Sequence, residues 1–201
     1  QYAGGEYHQG RLGDKEVVVC CAGMGKANAA ATTQVLCGKF GAQAIIFSGI
    51  AGNMSEEIGI GDVVVGKEVC YHDAEVSMIC QSAPFLKSYT GDPALVQAAL
   101  DACAALGVKA IAGRIATGDT FVGDGATKAV IAEKVHPDCV EMEGAAVSQI
   151  AARNGVPCVV LRAMSDNADE SGHELLVVKK FSIAEYVTTA TAIVARMLES
   201  L

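Results

Sequence analysis

The stretch Val156–Asp166, VPCVVLRAMSD, is typical of a buried β-strand that ends in a carboxylate. Its apolar residues hardly alternate with polar ones, as expected for a strand that helices cover on both faces. The strand within it is predicted at Pro157–Ala163. Four further stretches share this Val- and Ile-rich character and are also predicted as strands: Glu16–Ala22, Ala44–Ser48, Asp62–Val69 and Ala110–Ala116.

Stretches with helical periodicity separate these strands. They are Lys26–Cys37, Pro93–Leu106, Ala126–Val135, Met142–Asn154 and Ile183–Leu201. Asp92 and Pro93 suit the cap and the first turn of a helix. The glycines that directly follow three of the helices are predicted to end them: Gly38, Gly107 and Gly155. Strands that alternate with helices predict an α/β fold, a single domain over residues 1–201 with a mostly parallel or mixed central sheet and helices on both faces.

The composition restricts the function classes. The chain has 201 residues, of which 51% are hydrophobic, and its net charge is -8. An acidic chain without a basic stripe is a poor candidate for binding nucleic acid or a membrane, and no apolar run approaches membrane-spanning length. The eight cysteines form no CxxC pair. We therefore expect reduced thiols in a cytoplasmic protein rather than disulfides or a zinc site.

Turns rich in glycine or carboxylates follow the predicted strands. They are AGMGKAN (22–28), SGIAGNM (48–54), TGDTFVGDG (117–125), VEMEGAA (140–146) and RAMSDNAD (162–169). Because ligands bind beyond the carboxyl ends of strands in α/β sheets, we expect these turns to converge on one site. The sequence Gly23-Met24-Gly25 lacks the third glycine of a dinucleotide fingerprint. A tight turn and a ligand contact are equally open interpretations of it.

Carboxylates occupy two of these turns. Glu141 and Glu143 flank Met142 after the strand-like residues 138–140, where a single glutamate would commonly favour the start of a helix. An acidic pair after a buried strand is better explained by hydrogen bonds to two vicinal hydroxyls, as on a ribose. Asp166 could cap a helix, but no apolar helical stripe follows it. A carboxyl group at a buried strand end favours its protonated form, which can act as a general acid.

These motifs together resemble the 5'-methylthioadenosine/S-adenosylhomocysteine nucleosidases of the nucleoside phosphorylase/hydrolase superfamily, and YHDAEV (71–76) is similar to the same family. The resemblance extends from Gly10 to the C-terminal helix. It implies an enzyme that hydrolyses the N-glycosidic bond of an adenine nucleoside to adenine and a 5-substituted ribose, without a cofactor or a metal. Breaking this bond builds positive charge on the sugar and negative charge on the base, which suits an acid beside carboxylates.

The resemblance also implies roles for individual residues. Asp166 would protonate adenine N7, Ser165 would orient Asp166, and Glu143 would bind the ribose 2'- and 3'-hydroxyls. The other residues that would contact adenine or ribose are Ile50, Gly52, Phe121, Val122 and Met142. Further candidates for the site are Glu141, Arg162, Phe181, Val76 and Ile79.

The sequence departs from the family pattern in two places. Family members begin with a strand that ends in a Met-Glu-Glu-like turn, in which one Glu activates the attacking water. This chain begins at Gln1, after that point, and neither Glu6 nor Glu16 is suitably placed, so we expect that this segment is missing. The stretch after Asp169 looks rearranged. Phe181 is the candidate there for covering adenine, and packing at the start of the C-terminal helix is its alternative role.

Two alternative functions are open at this point. A phosphate-dependent nucleoside phosphorylase needs arginines for its anion, but Phe47 stands where one would lie, and Arg162 is better placed to pair with a glutamate. A nucleoside-binding homologue without activity is the second alternative. The apolar stretch that contains Val76, Ile79 and Pro84–Phe85 favours a homodimer, in which the neighbouring subunit closes the 5' pocket.

Overall fold

The computed structural model describes residues 1–170 and 182–201. The strands in this part of the chain are β1 (Tyr7–Leu12), β2 (Lys15–Cys20), β3 (Ile45–Asn53), β4 (Val63–Tyr71), β5 (Tyr89–Thr90), β6 (Ala110–Thr117), β7 (Cys139–Glu141) and β8 (Cys158–Asp166). The helices there are α1 (Lys26–Phe40), α2 (Val76–Ile79), α3 (Pro93–Ala105), α4 (Gly125–Val135), α5 (Gly144–Arg153) and α6 (Ile183–Ser200).

Among the described residues, a six-stranded sheet has the order β5-β4-β6-β7-β3-β8, and a further pairing of β4 with β8 closes it on itself. β3 runs parallel to β8, and β6 runs parallel to β4 and β7. β7 pairs antiparallel with β3, and β8 pairs antiparallel with β4. The predicted α/β fold with a mixed central sheet is therefore confirmed.

Both faces of β8 are buried, as its unbroken apolar sequence predicts. Val159 and Leu161 pack in one cluster with Leu95 of α3 and Met197 of α6. Val160, which lies between them in the strand, points into a second cluster on the opposite face. Helices α1 and α5 contribute a third cluster against the start of the same strand. Burial on both faces explains why this strand lacks the alternation of a half-exposed one.

The prediction that Glu16–Ala22 is a strand covered on both faces is wrong. The strand is β2, which pairs antiparallel with β1 in a separate two-stranded sheet and leaves Val19 63% exposed. The two strands are adjacent because Leu12 pairs with Lys15 across a two-residue turn, in which Gly13 has a φ of 60°. A turn this tight brings neighbouring strands together at little entropic cost.

One of the three predicted helix ends is also wrong. Helix α1 continues through Gly38 to Phe40 and ends at Gly41, which has a left-handed φ of 65°. The three extra residues bring the centre of the Phe40 ring to 5.2 Å from that of the Tyr7 ring in a stacked arrangement. The ends predicted at Gly107 and Gly155 are confirmed by left-handed φ values of 68° and 67°.

The predicted helix starts are closer to the observed ones. The Asp92 side chain accepts hydrogen bonds from the N–H groups of Ala94 and Leu95 at 3.0 and 3.1 Å, which confirms it as the cap of α3. Helix α5 begins at Gly144 rather than at the predicted Met142, with Glu143 at the cap position. The predicted start is early because the backbone of Glu143 is not helical, with a φ of -138°, and Glu141 still belongs to β7.

Candidate active site

Three strands meet at Gly52. Gly52 of β3 pairs with Val140 of β7 on one side and with Asp166 of β8 on the other. The register of β8 against β3 shifts between Ala51 and Gly52, so that Ser165 is the extra residue of a bulge. Such bulges re-aim side chains at strand ends. Here the bulge places Asp166 opposite Gly52.

Asp166 is 2% exposed and held from two directions. One carboxylate oxygen, Oδ1, accepts the Ala168 N–H at 2.8 Å. The other, Oδ2, lies 2.8 Å from the hydroxyl of Ser165. The Ser165 hydroxyl lies also 3.2 Å from the carbonyl oxygen of Ala51. The side chain at the end of the strand is therefore fixed in one orientation at the edge of the cleft.

Gly52 makes room for this carboxyl group. A Cβ atom at Gly52 would lie 2.9 Å from Asp166 Oδ1 and 2.8 Å from the Cβ of Ala168. Both distances are shorter than real Cβ contacts allow. Glycine at this position is therefore a packing requirement of the acid.

Arg162 joins the two glutamates of the VEMEGAA turn. Its Nη2 donates to Glu141 Oε2, and it lies 3.2 Å from Glu143 Oε2. Its guanidinium lies 4.6 Å from the centre of the Phe47 ring, and a Cβ at Gly49 would lie 1.8 Å from its Nη1. All three charged side chains are almost fully buried. The predicted pairing of Arg162 with a glutamate is therefore present. The positive charge of Arg162 is engaged by Glu141 and Glu143.

Glu141 organises the turn that carries Glu143. Besides the arginine, its Oε2 accepts the backbone N–H groups of Glu143 and Gly144 at 3.0 and 2.7 Å. Its Oε1 accepts the hydroxyl proton of Thr117, and the same hydroxyl oxygen accepts the Ala145 N–H at 2.8 Å. Four hydrogen bonds, three on Oε2 and one on Oε1, thus fix Glu141 inside the protein, so this carboxylate holds the turn that carries its neighbour.

Glu143 is held differently and contacts the glycine turn after β2. Its Oε1 accepts the N–H of Gly25 at 2.8 Å, although the two residues are 118 positions apart. The sequence left open whether this turn is only a tight turn or a ligand contact. In the structure the turn donates to Glu143, the residue predicted to bind ribose.

A cleft opens beside these groups. The residues that line it are Gly52, Thr120, Phe121, Val122, Val140, Glu141, Met142 and Asp166. Phe121 is 45% exposed at its rim, whereas Val122 is buried beneath it. An apolar wall, the buried acid Asp166 and the Glu141 carboxylate therefore face one another across this space, whereas Glu143 lies behind Glu141 and is not among the lining residues.

Within residues 1–170 and 182–201, no group of three or more His, Cys, Asp or Glu side chains is arranged to hold a metal ion. No helix described there is long and apolar enough to cross a bilayer.

Comparison with known proteins identifies the family. A model of the phosphorylase superfamily matches residues 1–199. The 5'-methylthioadenosine/S-adenosylhomocysteine nucleosidase of Shewanella sediminis is 43% identical over 173 residues, which are 83% of this chain and 75% of that protein. The chain belongs to the 5'-methylthioadenosine/S-adenosylhomocysteine nucleosidase family. The predicted resemblance is thereby confirmed.

Other relatives of this nucleosidase family member have a related activity or the same fold. The aminodeoxyfutalosine nucleosidase of Campylobacter jejuni is 33% identical over 98% of this chain and 85% of that protein. The crystal structure of the nucleosidase from Neisseria meningitidis in complex with methylthio-immucillin-A has a TM-score of 0.92 and 30% identity, and the match covers 100% of this chain and 88% of that one.

Some predicted site residues of this nucleosidase family member lie apart from the cleft. Ile50 is half-buried, and its carbonyl accepts from Arg162 Nη1 at 3.3 Å. Val76 begins the one-turn helix α2 and packs against the core, and Ile79 ends that helix half-buried. Phe181 lies outside the described residues. The stretch 76–79 forms one helical turn.

Sequence reasoning missed a second set of charged residues beside the nucleosidase cleft. Lys26 Nζ donates to both carboxylate oxygens of Asp73 at 2.9 and 2.8 Å. Asp119 accepts the backbone N–H of Lys26 at 2.8 Å, and its own N–H donates to Asp73 at 2.8 Å. Burial raises the pKa of Asp73. The hydrogen bonds from Lys26 and Asp119 and the lysine charge together lower it by more, so that the pKa lies below its ordinary value. All three residues fall in quoted motifs, but only their joint position reveals the cluster.

Proposed function

We propose that this chain hydrolyses the N-glycosidic bond of 5'-methylthioadenosine, S-adenosylhomocysteine or a related adenine nucleoside, such as the aminodeoxyfutalosine class. The bond between ribose C1' and adenine N9 breaks, and its electron pair moves into the base. Adenine N7 takes a proton from Asp166, water supplies the hydroxyl group on C1', and the proton that this water gives up restores the acid over the turnover. The products are adenine and a 5-substituted ribose.

The observation that carries this proposal is the position of the Ser165 hydroxyl between two acceptors. It lies 3.2 Å from the carbonyl oxygen of Ala51 and 2.8 Å from Asp166 Oδ2, yet it has only one proton. The hydroxyl donates to Asp166 Oδ2 and holds this buried carboxyl group at the wall of the cleft, while the Ala168 N–H fixes Oδ1. A carboxyl group fixed in this way at the strand ends is placed to act as the general acid of the cleavage.

The remaining groups of the cleft suit the two halves of a nucleoside. Glu143 is placed to accept hydrogen bonds from the ribose hydroxyls, and the excess negative charge of Glu141 and Glu143 over Arg162 stabilises an oxocarbenium-like sugar. Phe121 and the backbone of Val122 suit the face and edge of adenine, and Met142 is placed to pack under the ribose and base. Gly52 leaves the space in which these groups meet.

Water rather than phosphate fits this site as the attacking group. Arg162 is the buried cation of the described site, and Glu141 and Glu143 both engage it. A phosphate would meet a cluster with net negative charge, which is unfavourable for a multiply charged anion. Phe47 packs on the guanidinium where a phosphorylase would need a second cation.

We also propose a homodimer in the cytoplasm. Met78 and Phe85 are among the most exposed large apolar side chains in the described residues, and both lie in the stretch between β4 and β5. A second copy that covers this stretch would remove them from water. The eight free thiols suit a reducing compartment. Light scattering at micromolar protein would contradict the dimer if it gave the mass of one chain.

The proposed function is tested by adenine release from 5'-methylthioadenosine, with and without phosphate. We expect release without phosphate, and we expect Asp166→Asn to lower kcat by about 10²–10⁴-fold, because Asn has no proton of suitable acidity to transfer. The matched control is Asp101→Asn on the exposed face of α3, which should keep the activity. Release that requires phosphate, or an Asp166→Asn variant as active as the control, would contradict the proposal.

A further inference from the structure

The three charged residues beside the cleft are hydrogen-bonded to one another in a closed ring, and each lies just after the end of a different strand or at the start of a helix. Lys26 lies at the start of α1, Asp73 follows β4, and Asp119 follows β6. Each pair is joined: Lys26 N–H to Asp119 Oδ1, Asp119 N–H to Asp73 Oδ2, and Lys26 Nζ to both oxygens of Asp73. The lysine ammonium also lies 5.6 Å from the centre of the buried Tyr71 ring. We call these three residues the Lys26 ring.

Two of the joined loops end at different halves of the cleft. Gly25, which immediately precedes Lys26, donates its N–H to Glu143 Oε1 at 2.8 Å. Phe121 and Val122 line the adenine side and follow Asp119 by two and three residues. The Lys26 ring therefore links the backbone donor of the ribose carboxylate to the loop that faces the base.

We propose that Lys26 is a positioning residue, which with Asp73 and Asp119 holds the Gly25 N–H on Glu143 and the Phe121 loop at its distance from the ribose site. The inference rests on the proposed function, and it adds a residue that does not touch the substrate. Glu143 has two fixed partners, the Gly25 N–H and Arg162. Loss of the first frees the carboxylate to rotate about its remaining contact.

The ring is too exposed to matter mainly for stability. The side chains of Lys26 and Asp73 are each 24% exposed, and that of Asp119 is 52% exposed. Ion pairs of this kind stabilise a fold weakly, whereas small displacements of positioned groups change catalytic rates strongly. The effect of removing Lys26 should therefore appear in substrate binding and turnover before it appears in unfolding.

The test compares Lys26→Met, Lys26→Arg and the control Lys39→Met, which removes a lysine from the other end of α1. Each variant is assayed with 5'-methylthioadenosine and with its 2'-deoxy analogue. We expect Lys26→Met to raise KM about 5–30-fold for the ribose substrate, with a smaller change in kcat. Lys26→Arg should recover most of the loss, because its guanidinium can still pair with both oxygens of Asp73. Lys39→Met should match the unchanged chain.

The deoxy substrate separates positioning from general damage. Because it lacks one hydroxyl that Glu143 would bind, the penalty of Lys26→Met on its KM should be at least about threefold smaller. An equal penalty on both substrates, or no penalty on either, would overturn the inference.

A second measurement does not depend on activity. Lys26→Met should accelerate amide hydrogen exchange in residues 22–28 by about tenfold or more, while Lys39→Met leaves it unchanged. Unchanged exchange in Lys26→Met would overturn the positioning role. If the unchanged chain releases no adenine, the proposed function fails by itself, and the exchange result alone decides the role of Lys26.

Discussion

Two ion-pair networks of similar composition act on the Glu143 carboxylate, and they differ in how far water reaches them. The network of Glu141, Arg162 and Glu143 is buried, with side-chain exposures of 1%, 3% and 12%. The Lys26 ring is partly open to water. Burial makes the first network expensive to break, because a charge left without its partner cannot be solvated. Loss of the second network should change the free energy of unfolding little, so its main effect is to position the loops that it joins.

The largest effect on stability is expected from Arg162→Met. This change leaves Glu141 and Glu143 buried side by side without a cation and should lower the free energy of unfolding by about 3–5 kcal/mol. Urea denaturation measures the loss. The control is Arg196→Met on α6, where the arginine and its partner Glu199 are both exposed. A loss of the same size in both variants would contradict the claim that burial makes the Arg162 network expensive to break.

A smaller effect is expected from Gly49→Ala. The new Cβ would lie 1.8 Å from Arg162 Nη1 and 2.8 Å from its Cζ, and the guanidinium cannot easily move because two carboxylates and Phe47 hold it. We expect a loss of about 1–3 kcal/mol, as for other overpacked sites. Gly59→Ala is the control, since beyond its two chain neighbours no described atom would lie within 4 Å of its Cβ. Urea midpoints that agree for the two variants would show that Arg162 is free to shift.

The smallest effect is expected from Asp73→Asn. Removal of one charge from the half-exposed ring should lower the free energy of unfolding by no more than about 1 kcal/mol. Burial raises the pKa of Asp73 in the folded chain. The hydrogen bonds from Lys26 and Asp119 and the charge of Lys26 outweigh burial, so the pKa lies below its ordinary value. The contribution should therefore be complete above about pH 4 and decrease as the pH falls through the folded pKa. Thermal unfolding of both proteins from pH 7 to pH 3 measures it, and a difference that grows toward low pH would contradict it.

The parts of the fold that the sequence predicted are those in which local pattern and tertiary environment agree. β8 is apolar throughout and buried on both faces, and α3 has Asp92 as its cap and Gly107 beyond its end. The failures occur where a partner decides the outcome. β2 has the same apolar composition as a central strand, but its neighbour is the polar β1, which no periodicity marks as a strand.

The candidate site was predictable to a similar extent. The strand-end rule and the family resemblance together select Asp166, Glu143, Gly52 and Phe121, because each stands at or just beyond the end of a strand. The Lys26 ring was not predictable, since its members are 47 and 93 positions from Lys26 along the chain. A lysine and two aspartates in separate turns are ordinary surface residues until the fold brings them together.

Gly52 limits how the substrate range of this protein can be redesigned. The Asp166 carboxyl group and Ala168 occupy the space that a side chain at Gly52 would need. A larger residue introduced there to narrow the cleft would displace the acid before it excluded any ligand. The exposed rim at Phe121 carries no such constraint, since its ring points into solvent for almost half of its surface. Libraries of variants for altered nucleoside selectivity should therefore vary Phe121 at the rim and leave Gly52 unchanged.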